Sequence, residues 1–150
     1  MSRVPLRIFL QGVTGSNRFC LPLEDVVRVF ALVSLQSVPG ASVFLKGVAN
    51  IGGRSVPVVD LAQRIGLPSM TRYTLETPIV LCQTDDFLIG LIVETVAGLA
   101  SFRACDIQLV DLFQDLDRSM AGIAVVAGQQ TMVIDVRRLF GPGARHGQGS

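Results

Sequence analysis

The chain repeats itself. When Gly47 to Gly66 is set against Gly122 to Gly141, an ungapped shift of 75 residues, Gly47 meets Gly122, Ala49 meets Ala124, Gly53 meets Gly128, Val58 meets Val133, Asp60 meets Asp135 and Gly66 meets Gly141. Most remaining pairs are apolar against apolar, such as Val48 with Ile123 and Val59 with Ile134. Upstream, a shift of 70 places Leu21 on Leu91, Glu24 on Glu94 and Val26 on Val96. β-rich segments align easily by chance, but the ungapped Gly, Gly, Asp spacing argues against chance here. Self-similarity of this kind restricts the fold to two copies of one unit.

The unit reads as strands. In Phe19-Cys20-Leu21-Pro22-Leu23 large apolar residues fall at every second position, and Ser55-Val56-Pro57-Val58-Val59-Asp60-Leu61 is a short β-branched run. Ile51-Gly52-Gly53-Arg54 places two glycines between apolar segments, as a tight hairpin with positive φ requires. Thr77 to Gln83 and Phe87 to Val93 flank Thr84-Asp85-Asp86 as a further hairpin, and Gly12-Val13-Thr14-Gly15 reads as a hairpin turn. Pro57 lacks a backbone donor, so its strand is expected at a sheet edge, or with the missing N–H directed where no partner waits. Short helical turns are expected at Leu61 to Ile65, Asp106 to Leu116 and Val136 to Phe140. Residues 141–150 hold four glycines and Pro142 with no large apolar side chain, so a disordered tail is expected after a single domain over 1–140. Each half is then a barrel of about five strands, small enough to need its neighbour, and packing two such units creates a groove suited to binding.

Charge and composition exclude several functions. Lys and Arg number 13 against 12 Asp and Glu, scattered without blocks, and aromatics are 6% with no Trp. That is neither the positive footprint nor the stacking platform of a nucleic-acid binder. Mean hydropathy is +0.51, yet no apolar run approaches the about eighteen residues of a membrane span. Met1 to Leu10 lacks the features of a signal peptide, so a cytoplasmic location without membrane insertion is expected. Cys20, Cys82 and Cys105 are far apart among apolar neighbours, which suits reduced thiols better than a disulfide frame or metal site.

Against this background Phe19 to Val29, then Leu45-Lys46-Gly47-Val48-Ala49-Asn50-Ile51-Gly52-Gly53-Arg54-Ser55-Val56-Pro57-Val58-Val59-Asp60-Leu61, then Gly90 to Val96 and Met120 to Ala124 resemble the CheW-like chemotaxis coupling domain, in order and spacing, over about residues 6 to 140. Gly-Val-x-Asn followed by Val-Pro-Val-Val-Asp-Leu is the most specific part. The resemblance implies an all-β fold of two pseudo-symmetric five-stranded Src-homology-3-like barrels with a few short helices. It also implies a non-enzymatic adaptor that joins a CheA-type histidine kinase to the cytoplasmic tips of chemoreceptors at membrane-associated arrays. Carried over by position, a receptor-binding groove falls on Val26, Arg28, Asn50, Gly52, Pro78, Ile79 and Gly90, and kinase contacts fall near Gly47 and Gly122. The competing reading gives Val26, Ile79 and Gly90 to core or turn, and Gly47 and Gly122 to backbone conformation.

Two positions depart from the family pattern. The family usually has Glu where this chain has Arg28, and Arg where it has Gly52. The first reverses a charge and the second removes one, and charges at an interface rim govern partner choice more than affinity. A divergent module with a non-receptor partner is therefore an alternative. Arg54 is expected in the next strand, where it does not replace the lost arginine.

An enzyme finds little support. His146 is the only histidine and lies in the expected tail, no phosphate loop is present, and Asp106, Asp111, Asp115 and Asp117 do not match a calcium loop. Asp106 suits a helix cap, and the cluster suits a solvated face. No cofactor and no metal are expected. A barrel pair holding a small ligand is a further alternative, disfavoured because Val, Ile and Leu should fill the interior with few polar groups to orient a ligand.

Overall fold

The period-2 patterning produces ten strands: β1 (Leu6–Thr14), β2 (Asn17–Pro22), β3 (Val26–Ala31), β4 (Leu45–Ile51), β5 (Arg54–Asp60), β6 (Pro78–Thr84), β7 (Phe87–Ile92), β8 (Thr95–Arg103), β9 (Met120–Val126) and β10 (Gln129–Ile134). The computed structural model describes residues 5–68, 72–85, 87–107 and 120–140. One short α-helix, α1 (Leu61–Arg64), follows β5, and 3-10 turns occupy Leu23–Asp25, Ala104–Asp106 and Val136–Phe140. The helical turns expected at Leu61 and Val136 are therefore present. Most of the one expected over 106–116, and the tail expected at 141–150, lie outside the described residues.

The strands form two five-stranded sheets with orders β8-β1-β2-β10-β9 and β3-β6-β7-β5-β4. Each sheet curls on itself, because one small core reaches both of its edge strands. In the first, Phe9, Cys20 and Val133 meet Phe102 of β8 and Ala124 of β9. In the second, Ile79, Ile92 and Val58 meet Phe30 of β3 and Ala49 of β4. Alternate residues of the same strands point the other way, into a larger core between the barrels, built from Phe19, Leu21, Val59, Val80, Cys82, Ile89, Leu91, Met132 and Ile134. Burying one such side chain contributes about 1.5–3 kcal/mol, so this shared core holds the pair together.

The repeat is visible element by element. A shift of 75 carries β4 onto β9, β5 onto β10 and α1 onto the Val136–Phe140 turn, and a shift of 70 carries β2 onto β7. Even irregularities repeat: the β4–β5 ladder slips between Leu45 and Gly47, and the β9–β10 ladder slips where Ile134 pairs Met120 and Val133 pairs Gly122. Gly53 and Gly128 occupy equivalent turns at φ 82° and 78°. Asp60 and Asp135, also matched, each cap the helical turn after their strand: Asp60 Oδ1 accepts from Gln63 N at 3.0 Å and Asp135 Oδ1 from Arg137 N at 3.1 Å.

One expectation needs adjusting, and a second resolves to one of its two alternatives. The sequence halves are not the barrels, because β1 and β2 join β8, β9 and β10 while β6 and β7 join β3, β4 and β5. Pro57 is not on an edge strand, since β5 lies between β7 and β4. The second branch of that expectation describes it. Pro57 faces Val48, whose N–H and C=O are both bonded to Gln36 on the far side, and the parallel ladder to β7 begins only at Val58 opposite Gly90. No partner waits for the absent N–H.

Candidate partner-binding surface

All seven residues of the expected receptor groove fall on the second barrel. Val26 and Arg28 lie on β3, Pro78 and Ile79 on the neighbouring β6, Gly90 on β7, Asn50 on β4 and Gly52 in the β4–β5 turn. They differ in what they present. Arg28, Asn50 and Gly52 are exposed, Val26 and Pro78 are half-buried, and Ile79 and Gly90 are buried.

Ile79 is 0% exposed, opposite Phe30 and Ile92 in the ladders. A Cβ on Gly90 would stand 3.1 Å from Ile79 Cγ2 and 3.2 Å from Val58 Cγ2, so any larger residue there pushes on the barrel core. These two build the wall from inside and offer a partner no side chain. Val26 pairs with Cys82 and packs on the inter-barrel core. Pro78 opens β6, and its carbonyl accepts from Val93 N at 3.2 Å.

The turn residues are shaped by backbone demands. Gly52 and Gly53 have φ of 59° and 82°, the two positive values a tight hairpin needs, and Asn50 Oδ1 accepts from Gly53 N at 3.1 Å to close the turn. Arg54 is the exposed first residue of β5, opposite Ile51, as the sequence predicts. Arg28 follows a bulge: Val26 pairs with Cys82 and Arg28 with Leu81, leaving Val27 unmatched. Its guanidinium carbon stands 5.1 Å from the Phe30 ring centroid.

The two glycines of the expected kinase contact are separated. Gly47 lies on the second barrel and Gly122 on the first, both buried and both beside the repeated bulge. A Cβ on Gly47 would stand 2.7 Å from the Gln36 carbonyl oxygen. Glu24 and Glu94, matched in sequence, have diverged in role: Glu24 pairs with Arg7 at the surface, whereas Glu94 Oε1 accepts from Ser16 N at 2.8 Å.

Sequence reasoning missed an apolar strip on the first barrel. Leu6, Ile8 and Leu99 are 57%, 49% and 57% exposed on the adjacent strands β1 and β8. They continue the face of Leu10, which sits in the inter-barrel core and pairs with Leu99. A shift of 70 matches Ile8 with Pro78, and Leu99 with Val29, which is 40% exposed on β3. Alternation in Leu6-Arg7-Ile8-Phe9-Leu10 carries the signal, but it does not say that one end of the face leaves the core.

The titratable groups serve packing. Burial pushes the thiols of Cys20 and Cys82 up to about 12, with the nearby Asp25 carboxylate adding to the effect at Cys82. Burial also raises the Asp25 carboxyl, against the pull of Arg137. Among the described residues no three His, Cys, Asp or Glu side chains are grouped to hold a metal ion, and no helix is long and apolar enough to cross a membrane. Of the acidic cluster, Asp106 accepts from Arg103 N at 3.0 Å, and Asp111, Asp115 and Asp117 lie outside the described residues.

Comparison with known proteins agrees with this arrangement. The solved structure of the scaffolding protein TtCheW from Thermoanaerobacter tengcongensis superposes with a TM-score of 0.82 at 22% identity, over 96% of this chain and 94% of that one. The chemotaxis protein CheW of Rhizobium meliloti (strain 1021) is 26% identical over 84% of this chain and 82% of its own length. The chemotaxis protein CheW of Thermotoga maritima is 23% identical over 79% and 77%. The family model described as the CheW-like domain matches residues 9–142, and the chain therefore belongs to the CheW-like family of non-enzymatic chemotaxis coupling adaptors.

Proposed function

We propose that this adaptor joins a CheA-type histidine kinase to the cytoplasmic tips of chemoreceptors, or to their divergent equivalent, in membrane-associated arrays. In this reading the receptor side is formed by Val26, Arg28, Asn50, Gly52 and Pro78, with Ile79 and Gly90 shaping the wall beneath them. The kinase side lies beside Gly47 and Gly122. The observation that carries the reading is that all seven groove positions share one barrel, with the exposed and half-buried ones on its edge strands β3 and β4, at the start of β6 and in the β4–β5 turn. Residues 1–140 act as one domain in this account, because each sheet draws strands from both halves of the sequence.

The test is reconstitution with purified components: chemoreceptor tip hairpins and the CheA regulatory domain from the source genome, titrated separately and together. Val26→Asp should weaken the receptor tip and leave the kinase domain bound. Failure of the wild-type chain to bind either component refutes the coupling role, and binding of the kinase alone favours an adaptor whose second partner is not a receptor.

A further inference from the structure

The outer edge of the second barrel carries a cation that no anion of the described residues matches. β3 is an edge strand, hydrogen-bonded only to β6; Arg28 is exposed and shares its face with Phe30, the bulged Val27 before it is 51% exposed, and Val29, 40% exposed, points to the opposite face of the strand. Among the described residues Arg28 forms no ion pair. Arg7 pairs with Glu24, Arg137 with Asp85, and Arg138 with Asp135, while Arg18 and Arg54, like Arg28, form no ion pair among the described residues. What Arg28 does contact is Phe30, two residues along the same strand, at 5.1 Å from the ring centroid. That contact leaves the guanidinium charged and its donors unsatisfied by any carboxylate of the described chain, while the ring limits the positions the side chain takes up. The bulge at Val27 turns this stretch away from regular pairing, a device that re-aims side chains at strand edges.

We infer that Arg28 selects the partner of this surface by charge: the protein segment that docks across β3 presents a carboxylate to Arg28, beside an apolar side chain that covers the bulged Val27. This inference rests on the receptor-side reading of the second barrel and adds the chemistry of what that side accepts. A planar guanidinium already held against a ring loses less freedom on pairing than a free one, and its fork of donors matches a carboxylate in two bonds. The exposed Val27 beside it partly excludes water from the pair, which strengthens it relative to a fully solvated contact. A partner with a lysine or arginine at that place meets like charge at an apolar edge and is rejected. Gly52, in the β4–β5 turn of the same barrel, has no side chain, and a Cβ there meets nothing within 4 Å, so it adds no charge of its own to oppose this preference.

The experiment uses the full-length chain and the soluble tip hairpins of every chemoreceptor in the source genome, measured by titration at low and high salt. Arg28→Glu and Arg28→Gln are compared with wild type, and melting curves check that both variants fold, as expected for an exposed position. The bound tip should lose affinity about five- to tenfold with Arg28→Glu, the scale of exchanging one exposed ion pair for repulsion, and the loss should shrink as salt rises. Replacing the tip's matching acidic residue by lysine should restore binding to Arg28→Glu and not to wild type. If the tip binds wild type and Arg28→Glu equally, with the same salt dependence, charge selection by Arg28 is wrong and the receptor-side reading survives. If no tip binds the wild-type chain at either salt, the receptor-side reading fails and the inference falls with it.

Discussion

Gly47→Ala tests whether the repeated bulge is a structural necessity or an incidental irregularity. Gly47 has a φ of 154°, and an added methyl would stand 2.7 Å from the Gln36 carbonyl oxygen and 2.9 Å from Leu35 Cβ. Gln36 is fastened to the edge of β4 by two hydrogen bonds, Gln36 N to Val48 O at 2.9 Å and Val48 N to Gln36 O at 2.8 Å. The methyl must displace Gln36, so both bonds weaken, each worth about 1 kcal/mol, and the backbone strain adds about 1–2 kcal/mol. The combined loss of about 3–4 kcal/mol corresponds to a fall in melting temperature of about 6–16 °C for a chain of this size. Gly98→Ala is the control. Its φ of 128° imposes strain too, but nothing lies within 4 Å of the added methyl, so it should fall by only about 2–8 °C. Differential scanning calorimetry of the two variants reads the difference directly. Equal shifts, or an unchanged melting point for Gly47→Ala, would refute the claim that close approach of Gln36 dictates glycine here.

Three further outcomes are expected. A chromogenic disulfide reagent at pH 8 should titrate one thiol rapidly in the native protein, the exposed Cys105, and all three only after denaturation, because Cys20 and Cys82 are buried with thiols raised to about 12. Tyr73→Phe removes the bond its hydroxyl donates to Asp60 Oδ2 at 2.5 Å; with Asp60 only 2% exposed, the urea midpoint should fall by the equivalent of about 1–2 kcal/mol at unchanged m-value. Asp25 has a raised folded pKa, so its ionisation favours the unfolded chain; that contribution is absent below the unfolded value of 3.8 and grows as pH rises through the folded value. Asp25→Asn should therefore remove that fall with rising pH from the stability profile measured by pH-dependent melting, and raise stability at neutral pH.

Local chemistry made parts of the fold legible and left others hidden. The Gly52-Gly53 hairpin could be read because two successive positive φ values leave few residues able to comply. The Gly12-Val13-Thr14-Gly15 turn was displaced to Gly15-Ser16, with φ of 56° and 63°, because Gly12 is used differently: it lies inside β1, where a Cβ would strike the Phe19 ring at 2.7 Å. Repetition announced a pseudo-symmetric pair, yet period-2 alternation identifies which residues face inward and not which sheet a strand joins, so the exchange of strands between halves was invisible. The same limit governs the surface. Ile79 and Gly90 were assigned to the groove through resemblance, while their apolar surroundings already suited the interior that they occupy. Leu6, Ile8 and Leu99 look like core in sequence because only the packing of the two barrels decides where the shared core ends.

The exchange of strands also bears on how such a chain could arise and fold. A half-length polypeptide with this repeat would carry one copy of each of the five strands, and two such copies that exchanged β3, β4 and β5 would give the two sheets seen here. The present chain has the form of such a swapped homodimer whose two subunits have been fused end to end. During synthesis β1 and β2 must wait for β10, more than a hundred residues later, before the first sheet closes. Fusion turns what was a concentration-dependent meeting into an intramolecular one, and frees the two copies to diverge. The exposed Arg28 on one and the glycine at its counterpart, Gly98, on the other are a record of that divergence.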